Sequence, residues 1–118
     1  ARDYVKAMWK ILQQRKPDDY VIATGKQYSI RQFINLVAKK INLNIIWKGK
    51  GLNEKGYDTR TKKNIIFIDK NYIRPLDVNT LLGNASKARK QLSWTPKTNI
   101  NQLIEEMISE ELNILNVE

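Results

Sequence analysis

The stretch that decides the fold class is Ser29-Ile30-Arg31-Gln32-Phe33-Ile34-Asn35-Leu36-Val37-Ala38-Lys39-Lys40-Ile41, followed by Asn42-Leu43-Asn44 and then Ile45-Ile46-Trp47-Lys48. Ile30, Phe33, Ile34, Val37, Ala38 and Ile41 fall at i, i+3, i+4, i+7, i+8 and i+11, which puts them on one face of a helix. Ser29 with Gln32 three residues later is a capping box that fixes where this helix starts. The helix turns at Asn42-Leu43-Asn44 and gives way to a strand at Ile45-Ile46-Trp47-Lys48.

The same reading extends to both sides. Residues 3–15 predict a helix with Tyr4, Val5, Met8, Trp9, Ile11 and Leu12 on one apolar face and Lys6, Lys10 and Gln14 opposite. Pro17 with Asp18 and Asp19 stops it. Tyr20-Val21-Ile22-Ala23-Thr24 reads as a short strand of the buried type, closed by Gly25. Residues 49–64 are polar and hold Gly49, Gly51 and Gly56, so they read as a loop, and Ile65-Ile66-Phe67-Ile68-Asp69 reads as the third strand. Lys70 to Leu82 is irregular. Asn84 caps a short helix to Leu92 with Ala85, Ala88 and Leu92 inward. After the turn at Trp94 and Pro96, Asn99 and Gln102 form a second capping box. It opens a last helix whose Ile100, Leu103, Ile104, Met107, Ile108, Leu112 and Leu115 face a core. The sum is one domain over 1–118 of α/β class, α+β as an isolated piece, with four helices and three short strands.

Composition narrows the chemistry. The 118 residues are 42% hydrophobic and 28% charged, enough for one modest core. No apolar run approaches the roughly 20 residues of a membrane span, and no basic-then-apolar leader opens the chain, so a cytoplasmic protein without membrane contact is expected. The first residue is Ala, which fits a piece of something longer. Cysteine and histidine are both absent. Disulfides, thiol nucleophiles, Cys/His zinc sites and His-based triads are thereby excluded, leaving carboxylates, Lys, Arg, Tyr, Ser and Thr.

Charge is uneven. All 21 Lys and Arg lie in residues 1–98 with seven acids, a net +14, whereas residues 99–118 hold five Glu and no basic residue, a net −5. A field of this sign favours anionic partners such as phosphate groups, nucleic acid or acidic lipid, and is equally consistent with a solvated basic surface.

Few motifs carry chemistry. Gly49-x-Gly51-x-x-x-x-Gly56 lacks the G-x-G-x-x-G spacing, and no Gly-Lys-Ser/Thr is present, so a phosphate loop is rejected in favour of a hairpin-like surface loop. Asp18-Asp19, Glu105-Glu106 and Glu110-Glu111 are adjacent pairs without the alternation and turn glycine of an oxygen-ligand loop, so no metal is expected. Arg74-Pro75-Leu76-Asp77 stands apart. Proline stiffens the loop, the planar Arg fork suits a phosphate, and Asp77 can accept hydrogen bonds from sugar hydroxyls. From these residues alone, a surface Arg–Asp pair is the favoured reading of the spacing.

A set of stretches in order adds a resemblance. Ala1-Arg2-Asp3-Tyr4-Val5 with Ala7-Met8-Trp9 and Leu12-Gln13-Gln14, Asp19 to Gly25, and Tyr28-Ser29-Ile30-Arg31-Gln32-Phe33 come first. Trp47-Lys48-Gly49-Lys50-Gly51 with Glu54-Lys55-Gly56 follow, then Tyr72-Ile73-Arg74-Pro75-Leu76-Asp77-Val78. Leu81-Leu82-Gly83-Asn84, Lys87-Ala88-Arg89 and Leu92-Ser93-Trp94-Thr95-Pro96-Lys97 complete the set. Together they resemble the C-terminal part of the GDP-mannose 4,6-dehydratase family, a branch of the extended short-chain dehydrogenase/reductases, over residues 1 to about 112. The sequence departs from the family at Ile73, Asp77, Ser93 and Asn84, where Phe, Glu, Gly and Asp are usual. GDP-heptose dehydratases and GDP-sugar reductases share much of this part.

The resemblance implies a two-part lyase. An N-terminal Rossmann part outside these residues binds NADP, and a C-terminal lobe closes over the nucleotide sugar. In the family's reaction C4 of GDP-mannose is oxidised, water is eliminated across C5–C6, and the hydride returns to C6. No Tyr in the chain has Lys four residues on, so no catalytic residue and no cofactor are expected here. The resemblance makes Arg74 a ligand of the GDP diphosphate and Asp77 a ligand of the ribose. The Gly49–Gly56 loop, with Gly49, Lys50 and Glu54, would border the sugar or the guanine. The competing reading is a small basic module for nucleic acid. Against it, the Trp and Tyr residues do not interleave with Arg on one exposed surface, and no nucleic-acid motif is present. Where the Rossmann part would pack, the isolated lobe is expected to expose apolar surface and to self-associate.

Overall fold

The structure is a computed structural model that describes residues 1–118 apart from 75–77, 79 and 116–118. In chain order it has α1 (Arg2–Leu12), α2 (Ile30–Lys40), β1 (Ile45–Lys48), β2 (Lys55–Asp58), β3 (Lys63–Phe67), α3 (Ser86–Leu92) and α4 (Ile100–Leu115). Single 3-10 turns occur at Gly51–Asn53 and Lys70–Tyr72. The described residues thus form a small α+β arrangement of four α-helices and one three-stranded antiparallel sheet, ordered β1-β2-β3. Two compact units divide the chain: Tyr28–Asn79, and Ala1–Gln27 with Thr80–Glu118.

The Tyr28–Asn79 unit is built on the decisive stretch. The Ser29 hydroxyl accepts from the Gln32 amide at 3.1 Å while the Gln32 side chain accepts from the Ser29 amide at 2.8 Å, the expected capping box. Asn42, with φ 57°, ends α2 in the left-handed region that Asn tolerates, and the Leu43 amide turns back to the Ala38 carbonyl at 2.8 Å. Phe33, Ile34, Val37, Ala38 and Ile41 of the predicted face line an apolar cleft of about 220 Å³ with Leu43, Ile45, Ile65 and Ile66. Ile30, the first residue of that face, is exposed instead.

Residues 49–64 are not one loop. They contain β2, the middle strand, and the start of β3, which runs Lys63–Phe67 and not 65–69. Hydropathy could not reveal β2 because its sequence is Lys-Gly-Tyr-Asp. Gly56 is buried because Ile66 fills the place of a side chain; a Cβ on Gly56 would lie 2.9 Å from Ile66 Cβ. Asp58 is fully buried, and its carboxylate is satisfied by the turn that follows. It accepts from the Thr61 hydroxyl at 2.7 Å and from the amides of Thr61 at 3.0 Å, Arg60 at 3.2 Å and Asn44 at 3.4 Å. The Thr61 hydroxyl contributes most to holding this carboxyl below the usual range, with the three amides adding to it and burial opposing them.

The other unit is held by small residues. Ala7, Ala85, Ala88, Leu92 and Trp94 form the buried cluster, with Ile11, Tyr20, Ile22 and Ala23 packed against it. Alanines at the contact let α1 approach α3 closely. Polar pins fix the approach. Trp94 Nε1 donates to the Asp3 carbonyl at 2.9 Å, and the Asp3 carboxylate accepts from the Lys97 and Thr98 amides at 2.9 and 2.8 Å. Lys10 Nζ donates to the Leu92 carbonyl at 2.9 Å, a cation on the otherwise open C-terminus of α3. Asn84 accepts from the Ser86 amide at 3.0 Å, and Ala85, Ala88 and Leu92 point inward as expected. Asn99 and Gln102 make their reciprocal bonds at 2.9 and 3.0 Å. On α4, though, only Ile104 is buried; Met107, Leu112 and Leu115 of the expected core face are exposed. Nothing among the described residues covers the last two turns of α4.

One expected strand is not found. Tyr20, Ile22 and Ala23 of the Tyr20–Thr24 stretch pack against the core, yet the stretch pairs with no strand among the described residues. Side-chain character gave the conformation correctly, but a strand also needs a neighbour for its main chain.

Two expectations follow. The folded-state pKa of Asp58 is lowered, so its contribution to stability is complete above the unfolded value of about 3.9 and is lost as pH falls through the lower folded value. Asp58→Ala should cost about 1–3 kcal/mol at pH 7 in urea melts, and Asp58→Asn should remove this residue's share of the loss of stability below pH 4. Ser93 ends α3 at φ 49°, ψ 40°, a left-handed conformation that glycine adopts without penalty. Ser93→Gly should raise stability by about 1 kcal/mol, read as a higher urea midpoint.

Candidate functional site

The candidate residues all belong to the Tyr28–Asn79 unit. Its sequence holds 11 Lys and Arg against four acids, a net +7, so most of the chain's positive charge sits here. Two of those acids are already engaged: Asp58 in its turn, and Glu54 with Arg31. A third, Asp69, accepts from the Asn71 amide at 2.9 Å and so caps the Lys70–Tyr72 turn. The fourth, Asp77, lies outside the described residues.

Arg74 follows that turn. It is exposed, with no hydrogen-bond or ion-pair partner among the described residues. A guanidinium in that state keeps all its donors available, in a planar fork that matches two oxygens of a phosphate or carboxylate.

Gly49, Lys50 and Glu54 come together in the connection between β1 and β2. Gly49 has φ +86°, and a Cβ there would meet the Asn53 carbonyl oxygen at 2.5 Å, so the loop closes tightly only with glycine. The Lys50 carbonyl accepts from the Asn53 amide at 3.2 Å, and its side chain is exposed. Glu54 is not a free carboxylate: it pairs with Arg31 of α2. Arg31 also lies over the Trp47 ring, 5.3 Å from its centroid, and Trp47 Nε1 donates to Asn35 Oδ1 at 3.0 Å. Glu54 therefore ties the loop to α2 through a stacked Arg–Trp pair. No hydrogen bond or ion pair joins this loop to Arg74 among the described residues.

Arg31, Asn35 and Trp47 were not singled out from sequence. The available signal was position: Arg31 and Asn35 stand at i and i+4 on the flank of the apolar stripe, where both can reach one side chain of the adjoining strand. Two further lysines sit over rings: Lys48 Nζ is 3.6 Å from the Tyr57 centroid, and Lys55 Nζ is 5.8 Å from that of Phe67. Among the described residues no group of three His, Cys, Asp or Glu could hold a metal ion, and no helix is long and apolar enough to cross a membrane.

The unit thus offers a cationic surface, Arg forks at Arg60 and Arg74 without side-chain partners among the described residues, and a tightly closed glycine loop, which suits a phosphorylated ligand and leaves the reactive groups unaccounted for. Comparison with known proteins agrees with the resemblance read from sequence. The sequence profile of a family described as GDP-mannose 4,6 dehydratase matches residues 1–107. A GDP-mannose 4,6 dehydratase of Dictyostelium discoideum is 45% identical over 115 residues, 98% of this chain and 32% of the relative. GDP-mannose 4,6 dehydratase 2 of Caenorhabditis elegans is 44% identical over 119 residues, 98% of this chain and 30% of the relative. A GDP-mannose 4,6-dehydratase of Vibrio cholerae is 41% identical over 124 residues, 97% of this chain and 33% of the relative. The chain spans about a third of the length of these relatives, and with its match running through residues 1–107 it belongs to the GDP-mannose 4,6-dehydratase family.

Proposed function

We propose that this chain is the GDP-sugar-binding lobe of a GDP-mannose 4,6-dehydratase, the part that holds the nucleotide sugar while another part of the enzyme carries the chemistry. The family match over residues 1–107 carries the reading. The exposed, unengaged Arg74 on a unit of net +7 supports it. In this reading Arg74 binds the diphosphate bidentately and Asp77 accepts from the ribose hydroxyls. Gly49 and Lys50 border the sugar or the guanine, and Glu54 acts indirectly by keeping their loop against Arg31. The parent is a lyase of the extended short-chain dehydrogenase/reductase type in a cytoplasmic setting; a chain without cysteine owes nothing to an oxidising compartment.

NADP belongs to the parent in this reading, and the residues present here do not fit it. The chain has neither a G-x-G-x-x-G turn nor a Tyr-x-x-x-Lys pair. No step is therefore assigned to it in this lobe. What the lobe supplies is position: charge-assisted bonds to the diphosphate, made equally in ground and transition states, hold the hexose for groups outside this chain.

The test uses the Dictyostelium relative with its matching third replaced by this chain. Arg74→Ala should raise KM for GDP-mannose by about 10- to 100-fold, roughly 1.4–2.7 kcal/mol, and lower kcat much less. Arg74→Lys should recover part, since a point charge lacks the fork. Thermal melts beside the kinetics separate binding from folding. An unchanged KM sinks the assignment of Arg74.

A further inference from the structure

The cleft between α2 and the sheet has no part in the function proposed above, and its walls and rim differ in chemistry. All nine residues that line it are apolar, and its volume is about 220 Å³. Strand register sets the sheet wall. Ile45 of β1 pairs with Asp58 of β2, and Asp58 with Lys63 of β3, so the three share one face of the sheet. The bulge opposite Gly56 and Tyr57 gives β3 an extra residue, and both Ile65 and Ile66 reach the cleft. Ile41 and Ile65, 42% and 43% exposed, stand at its mouth.

Lys63 lies on the same face, two positions before Ile65. It is exposed and has no hydrogen-bond or ion-pair partner among the described residues. The Asp58 carboxylate in its row is spent on the donors of the following turn. Arg60 and Lys62, in that turn, are exposed with their side chains equally unpartnered among the described residues. Residues 59–68 hold these three cations and no acid. Apolar walls give water few partners, so an alkyl group replaces it at a gain. Cations at the rim favour a negative head group. The volume exceeds the roughly 150 Å³ of an apolar cavity that takes up benzene, and falls below the roughly 300 Å³ at which drug-sized pockets begin. That size fits one flexible chain and not a lipid with two.

We propose that this cleft is a binding site for a medium-chain fatty carboxylate, with the alkyl chain between α2 and the sheet and the carboxylate at Lys63, in the field of Arg60 and Lys62. The site lies where β1 begins. The Gly49–Lys50 loop follows the other end of β1, about 13 Å along the strand. The inference does not depend on the proposed function.

Octanoate, uncharged 1-octanol and cationic octylamine test it, each kept below its micellar range and titrated into the chain with isotope-labelled isoleucine methyl groups. Octanoate should bind saturably, with a dissociation constant on the order of 0.1 mM. It should shift the methyl resonances of Ile41, Ile45, Ile65 and Ile66 and leave those of Ile100 and Ile104 on α4 in place. Octanol should bind at least about 5-fold more weakly, and octylamine more weakly still. Lys63→Gln, which sets no new charge beside Asp58, should weaken octanoate about 5-fold, leave octanol unchanged and keep the melting temperature. Shifts that do not saturate overturn the proposal, as do equal affinities for octanoate and octanol or an unchanged octanoate affinity in Lys63→Gln. Methyl shifts that move with protein concentration alone also overturn it, since a second copy would then fill the cleft. So does loss of octanoate binding in the folded Dictyostelium chimera, where the rest of the relative would be the cover.

Discussion

The buried carboxylate of Asp58 is the interaction on which the sheet depends. It ends a middle strand with almost no apolar content, and it accepts four hydrogen bonds from Asn44, Arg60 and Thr61. Those bonds close the turn into β3 and bring Asn44, just before β1, to the same point. A charge this deeply buried is tolerable only because three main-chain amides and the Thr61 hydroxyl are aimed at it. Asp3 plays a similar part in the other unit, where its carboxylate holds the Lys97 and Thr98 amides and its carbonyl receives Trp94. In both places a short side chain organises main-chain donors that a core of alanines could not order alone.

The geometry also separates two kinds of basic residue. Arg31 is spoken for by Glu54 and Trp47, and Lys10 by the end of α3. These cations shape the fold. Arg74 has no such partner among the described residues, and in a unit of net +7 its guanidinium, like that of Arg60, keeps its donors available to an anion. Net charge alone gave no means of telling these roles apart, because charge is summed over a sequence whereas engagement depends on what lies within 3 Å.

Only a few large side chains are fully covered. Ala7, Ala38, Ala85 and Ala88 make up much of the buried apolar set, while Met8, Trp9, Leu12, Met107 and Leu115 stay exposed. Apolar burial is the main source of stability, so among the described residues the small-residue contacts and the polar pins carry a large share of the order.

Sequence by itself determined the local structure wherever the information is local. The two capping boxes at Ser29 and Asn99, the α2 stripe, the strand at Ile45–Lys48 and the inward alanines of α3 were all legible, because caps and helical periodicity involve residues within a turn or two of one another. The family was legible too, from motifs kept in order. Tertiary structure alone decided the rest. It made Lys55–Asp58 a middle strand, since Gly56 and Asp58 are buried by Ile66 and by a turn and not by their own hydropathy. It left Tyr20–Thr24 unpaired among the described residues, and it split the apolar positions of α1 and α4 into covered and open ones. It also engaged Glu54 with Arg31 across 23 positions of sequence. Pairing, burial and ion-pair partners are properties of neighbours brought together by the chain's path, and no pattern read along the chain contains them.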